Sequence, residues 1–195
     1  MNRRNIIKTL LGAGTLSCLG VAWADTPQSS EDHFSTFFKI VNGFPMNQAQ
    51  KDAYAGYRRN YYTWIGERKT GMSLLMITLA HWEALNGRRI LIVSQNDRIS
   101  RYNKELLADQ LKNHFFDTTK YIEMVKNDQL PGGRKAGIIS YIVLDRNYYN
   151  GIAPDVIFVS WDGCLENDNL IKFRQAAYPI ISSKKGRYFE IGTAE

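Results

Sequence analysis

The sequence predicts an α/β fold of three layers, with helices on both faces of a mostly parallel central sheet. Two observations carry that prediction. The runs "ILIVS" at 90–94 and "VIFVS" at 156–160 are short and uninterruptedly apolar, as parallel strands buried on both faces require. Strand-like segments also alternate with helix-like ones along most of the chain, a pattern that builds a doubly covered sheet with ligands at the carboxyl ends of its strands. At 195 residues there is room for one domain with a real core. A composition of 44% hydrophobic and 23% charged residues excludes a disordered chain.

The chain opens with a basic start (Arg3, Arg4, Lys8), a weakly apolar stretch from Thr9 to Val21 and then Ala22-Trp23-Ala24. Basic, apolar and A-x-A in that order is the grammar of an export signal, and the paired arginines resemble a twin-arginine signal. An ordinary apolar N-terminal helix and a start site placed too far upstream both stay open. The expected organisation is a signal-like segment at 1–24, a polar linker at 25–32 and one domain at 33–195. The protein is then periplasmic if the signal is used, and cytoplasmic otherwise. The apolar stretch is too short for a confident membrane span. Three of the +6 net charges lie in this segment, which leaves the remainder only mildly basic. Cys18 and Cys164 are too few and too far apart for a disulfide framework or a metal spacing.

His33 to Val41 is an amphipathic stretch, closed by a turn at "NGF". Met46 to Arg59 reads as a helix with Asn47 as its N-cap, and the aromatic, β-branched run Tyr61 to Ile65 as a strand. Ser73 to Leu85 has apolar residues at helical spacing and is stopped by Asn86-Gly87. The strand at 90–94 precedes a helix from Ile99 to Asn113. Around "PGG" two strands are expected, paired antiparallel. After the strand at 156–160 come a helix from Asn169 to Ala177 and a last strand, "RYFEIGT".

Between the first strand and its helix lies Gly66-Glu67-Arg68-Lys69-Thr70-Gly71-Met72-Ser73, which fits G-x-x-x-x-G-K-[ST] everywhere except at Met72. Glycines let backbone amides close around phosphate oxygens, and the helix that follows offers its positive end. Lysine normally bridges the β- and γ-phosphates while the hydroxyl, here Ser73, holds Mg²⁺. Methionine supplies no charge. Arg68 and Lys69 are the available substitutes; the alternative is a strand-to-helix turn with two solvated basic residues.

Further segments give the loop a context. "NQAQKD" places Gln50 before the first strand, "RKTGMS" spans Arg68 to Ser73, "NGIAPDVIFVSW" spans Asn150 to Trp161, and "YPIISSKKGRYFEIGTAE" closes the chain. In this order they resemble the ATPase domain of a tailed-phage large terminase, the motor that drives DNA into a capsid. The resemblance covers roughly residues 33 to 195 and includes no counterpart of that family's C-terminal nuclease. It implies a P-loop NTPase-like fold. It also implies an adenine contact at Gln50, phosphate contacts along Gly66, Arg68, Lys69, Thr70, Gly71 and Ser73, and a coupling threonine at Thr193. ATP and Mg²⁺ are the implied cofactors, and double-stranded DNA or packaging proteins the implied partners.

The departures fall on chemistry. Met72 replaces the lysine, Ser160 the aspartate that organises Mg²⁺, Trp161 the glutamate that activates water, and Asn150 an arginine. Each such group is typically worth a few kcal/mol at a transition state, so hydrolysis is expected to be negligible. Asp162 and Glu166 are the remaining candidates for metal or base; a bulge is expected to be needed before Asp162 can serve. His33, His81, His114 and Cys164 show no ligand spacing, and His81 reads as a packed histidine. "YAGYRRNYYTW" interleaves basic and aromatic residues as single-strand binders do, but the expected reading is solvated Arg58 and Arg59 with Tyr61 and Tyr62 serving the first strand. Lys184, Lys185 and Arg187 read as a basic turn. Three functions stay open: a non-hydrolysing nucleotide-binding or interaction module, an active packaging ATPase with non-standard residues, and an exported binding protein of unrelated role.

Overall fold

The computed structural model describes residues 33–114, 137, 139–144, 153–162 and 168–193. Five strands form one all-parallel sheet in the order β1-β5-β4-β2-β3: β1 Tyr61–Gly66, β2 Ile90–Ser94, β3 Ile139–Val143, β4 Val156–Asp162 and β5 Arg187–Thr193. The helices are α1 His33–Asn42, α2 Gln48–Tyr57, α3 Met72–Leu85, α4 Asp97–His114 and α5 Asp168–Ser183.

Strand alternation divides the core in two. Val156 and Phe158 of β4 and Phe189 and Ile191 of β5 join one apolar cluster with α1, α2 and α3. Ile157, Val159 and Trp161 face the other way and pack with Leu170, Phe173, Ala177 and Ile181 of α5. A side-chain period of two on strands buried on both sides produces this division. The expected three-layer architecture is therefore present.

α3 is buried on nearly its whole circumference, because α1, α2 and α4 cover the side turned away from the sheet. It ends at Asn86-Gly87, where Gly87 takes φ +80°, the left-handed stop that glycine permits. α2 begins at Gln48 on a capping box between Asn47 and Gln50. α5 runs six residues beyond the expected end at Ala177 and through Pro179. The apolar spacing Leu170, Phe173, Ala177, Ile181 explains the extension, since tertiary packing of that face outweighs the local cost of proline. Of the two strands expected around "PGG", Ile139–Val143 is present but pairs parallel to β2; "PGG" and the partner expected before it lie outside the described residues. So do the signal-like segment, the linker and Glu166.

Candidate functional site: the loop after the first strand and the ends of its neighbours

Register places three strand ends side by side. Gly66 of β1 is level with Thr193 of β5, and Thr193 with Asp162 of β4. The loop from Gly66 to Ser73 rises from this edge into α3, so the crevice lies at the carboxyl end of the sheet, where parallel sheets bind ligands.

The loop's shape rests on two left-handed residues, Lys69 at φ +66° and Gly71 at φ +77°. At Gly71 an added Cβ would also lie 2.7 Å from Gln50 Nε2, so glycine is needed twice over. α2 clasps the loop from outside. The Gln50 amide donates to the Gly71 carbonyl at 2.9 Å, and Asn47 Nδ2 donates to the Thr70 carbonyl at 3.0 Å. Gln50 Oε1 accepts from the Asn47 main-chain N–H at 3.0 Å, so both ends of this buried side chain are engaged within the chain. The Thr70 hydroxyl donates to the Glu67 carbonyl at 3.1 Å. Gly71 caps α3 without a side-chain hydrogen bond, and the first amides of a helix have no intrahelical acceptor. Their positive end opens beside Arg68 and Lys69, both exposed, and half-buried Ser73.

Asp162 is the hub of the crevice. Its carboxylate meets Arg68 Nη2 at 3.1 Å and Arg98 Nη2 at 3.3 Å, and accepts the Thr193 hydroxyl. Its main-chain N–H donates to Gln95 Oε1 at 2.8 Å, which ties the exits of β2 and β4 together. No bulge precedes Asp162, because the β4–β5 ladder runs unbroken from Val156↔Arg187 to Asp162↔Thr193. Asp162 and Ser160 are two residues apart and so share a face. Ser160 itself is buried, its hydroxyl accepting from Asn103 Nδ2 at 3.0 Å in a network that also reaches Ser94.

The two apolar departures are core residues. Met72 is 4% exposed and belongs to the same apolar cluster as Leu75 and Met76. Trp161 lies on the α5 side, where its indole N–H donates to Glu190 Oε1 at 2.7 Å. Its ring covers Gly192 so closely that a Cβ there would fall 2.2 Å from Trp161 Cζ2. Glu190 is fully buried and also receives the Arg174 guanidinium and, at 2.6 Å, the Tyr188 hydroxyl. Burial, and then the Glu190 charge, push the Tyr188 phenol well up.

Sequence reasoning missed Arg98, Gln95 and Asn103. The signal was available for Gln95, because a polar residue directly after a buried parallel strand falls at the ligand end of the sheet. Asn103, a turn and a half into α4, carried none. His81 is packed as expected: fully buried, edge-on to Phe37, with burial holding its imidazole down to about 4. Tyr61 stacks on Tyr188 and Tyr62 on Phe189, while Arg58 and Arg59 are exposed, so the aromatics of that segment serve the sheet. In the basic turn, Arg187 pairs with buried Glu83 at 2.8 Å and Lys184 donates to the Ala153 carbonyl. Among the described residues no three His, Cys, Asp or Glu side chains gather to hold a metal, and no helix is long and apolar enough to cross a membrane.

An all-parallel sheet with a glycine-bearing loop entering α3, and with β5 set between the strands of the loop and of Asp162, defines a terminase-like P-loop ATPase-domain fold. The chain is similar to the large terminase ATPase domain of Thermus phage P74-26, with a TM-score of 0.61 at 12% identity over 86% of this chain and 71% of that one. It is similar also to the HK97 bacteriophage large terminase, with a TM-score of 0.52 at 12% identity. That match covers 99% of this chain but spans only 38% of the HK97 protein's length. No protein-family profile and no curated protein matches the sequence.

Proposed function

We propose that this chain is a terminase-like P-loop domain with degenerate phosphate and metal motifs, acting as a non-hydrolysing nucleotide-binding or interaction module. One observation carries the reading. The positions that the terminase resemblance assigns to the phosphate lysine and the water-activating glutamate hold Met72 and Trp161, both packed into the core. Neither side chain supplies charge or accepts a proton, and electrostatic stabilisation is the main protein contribution to phosphoryl transfer.

The crevice suits a phosphate better than it suits Mg²⁺. Arg68, Lys69, the loop amides and the N-terminus of α3 are all anion-binding groups. Mg²⁺ held at Ser73 would need a carboxylate, and Asp162, the described carboxylate at the strand ends, is engaged by two guanidiniums and a hydroxyl. Terminase-like architecture supports double-stranded DNA or packaging proteins as the partner class. The test is turnover: purified full-length protein with ATP and Mg²⁺ should release no phosphate above background. Hydrolysis abolished by Arg68→Ala or Lys69→Ala would overturn the reading in favour of an active packaging ATPase.

A further inference from the structure

We infer that the crevice takes a polyphosphate without a divalent metal, on Arg68 and Arg98, in exchange for their shared partner Asp162. This rests on the P-loop reading above and adds a ligand class, a residue and a mechanism of competition.

The geometry gives each part. Arg68 comes from the loop and Arg98 from the first turn of α4, on opposite sides of Asp162, at 3.1 and 3.3 Å. Their side chains are 61% and 81% exposed, so both guanidiniums are free to swing toward a ligand while Asp162 stays fixed by its strand. Two guanidiniums reach the single Asp162 carboxylate, and Lys69 lies on the same loop, an arrangement that favours an anion. The uncapped N-terminus of α3 supplies amide donors on the same side. Guanidiniums bind phosphate oxygens bidentately and need no metal to do so. Mg²⁺ would have to displace two arginines from Asp162 and would then face those same charges. The arginine pair thus stands where a metal would, and a polyphosphate competes with Asp162 for the pair.

Three consequences distinguish this from metal-dependent binding. Affinity for tripolyphosphate or ATP should be undiminished when EDTA replaces Mg²⁺. Arg98→Ala, at an exposed side chain that folding does not need, should weaken binding about tenfold, the order expected for a lost charge-assisted contact. Asp162→Asn should tighten it several-fold by releasing both arginines. Calorimetric titration of the full chain and both variants with tripolyphosphate and with ATP, each in EDTA and in Mg²⁺, reads all three; circular dichroism monitors the fold.

Binding that requires Mg²⁺ and is lost in Asp162→Asn would overturn the inference, making Asp162 a metal ligand. Absence of binding under either condition would overturn it as well, and would leave an interaction module that uses no nucleotide. Arg98→Ala binding as well as the parent would remove Arg98 from the site. Magnesium-dependent ATP turnover is the separate result that defeats the non-hydrolysing reading itself.

Discussion

Restoring the glutamate of the resemblance, by Trp161→Glu, should strongly destabilise this protein rather than activate it. Trp161 is 6% exposed, lies against Gly192 and donates its indole N–H to Glu190, which has no exposure at all. Truncating a buried tryptophan costs about 3–5 kcal/mol. Glutamate refills part of that volume, but it also sets a second carboxylate beside the first, where the charge already present occupies Arg174 and Tyr188. Desolvation and like-charge repulsion keep the total at or above roughly 4 kcal/mol, a large share of the roughly 5–15 kcal/mol of a typical domain. At about 2–4 °C per kcal/mol for a chain of this size, the melting temperature falls by at least about 8 °C. Trp161→Phe keeps an aromatic ring but loses the N–H and the volume of the second ring, so about 1–3 kcal/mol is expected. Urea denaturation followed by circular dichroism measures both. A Trp161→Glu midpoint within 1 kcal/mol of the parent, or ATP turnover gained by the variant, refutes the argument that this position belongs to the core.

Three other outcomes follow from single contacts. Burial holds the His81 imidazole at about 4 against 6.5 when unperturbed, so the unfolded chain binds more protons between those values. Stability is then full above pH 6.5 and falls by up to about 3 kcal/mol as pH drops toward 4; His81→Leu should flatten that limb of the urea midpoints, and an unchanged slope would refute the assignment. Gln50→Ala leaves the Gly71 carbonyl and the Asn47 N–H without their partner. It should cost about 1–3 kcal/mol and speed tryptic cleavage after Arg68 or Lys69 several-fold, whereas unchanged cleavage would mean that α2 does not hold the loop. Glu83→Gln removes the charge that faces Arg88 and Arg187. Those arginines are 39% and 30% exposed, so roughly 2 kcal/mol is expected rather than the 3–5 of a fully buried pair, and a loss under 0.5 kcal/mol in the same denaturation assay counts against the network.

Elements with strong periodic signals were legible. "ILIVS" and "VIFVS" are the buried central strands, and Asn47 caps α2 through a box readable as Asn-x-x-Gln. The extension of α5 was not legible, because the proline rule is local and the packing of Ile181 is not. At the site, the loop and its glycines were visible at once. What sequence order could not show was that Asp162 and Ser160 share a face on an unbroken ladder. The resemblance puts Ser160 at the position of the metal aspartate; register adds that Asp162, on the same face, stands level with Thr193, and Thr193 with Gly66. Arg98 was invisible for a different reason. An arginine at the start of a helix ordinarily opposes the helix dipole, and only the neighbouring carboxylate of β4 explains its place.

The distribution of charge across the sheet ties these observations together. Catalytic sites hold polar groups in places where apolar ones would be more stable, at a cost the rest of the fold must offset. Here Met72 on one face and Trp161 on the other are apolar and packed, Ser160 is buried in a hydrogen-bonded network, and Arg68, Arg98 and Asp162 pair at the mouth. Glu190, a carboxylate buried on the α5 side, is held by an indole, a phenol and a guanidinium. The crevice keeps what an anion recognises from outside, two exposed arginines and a helix end, with Asp162 as the competitor that sets how tightly an anion must bind to enter.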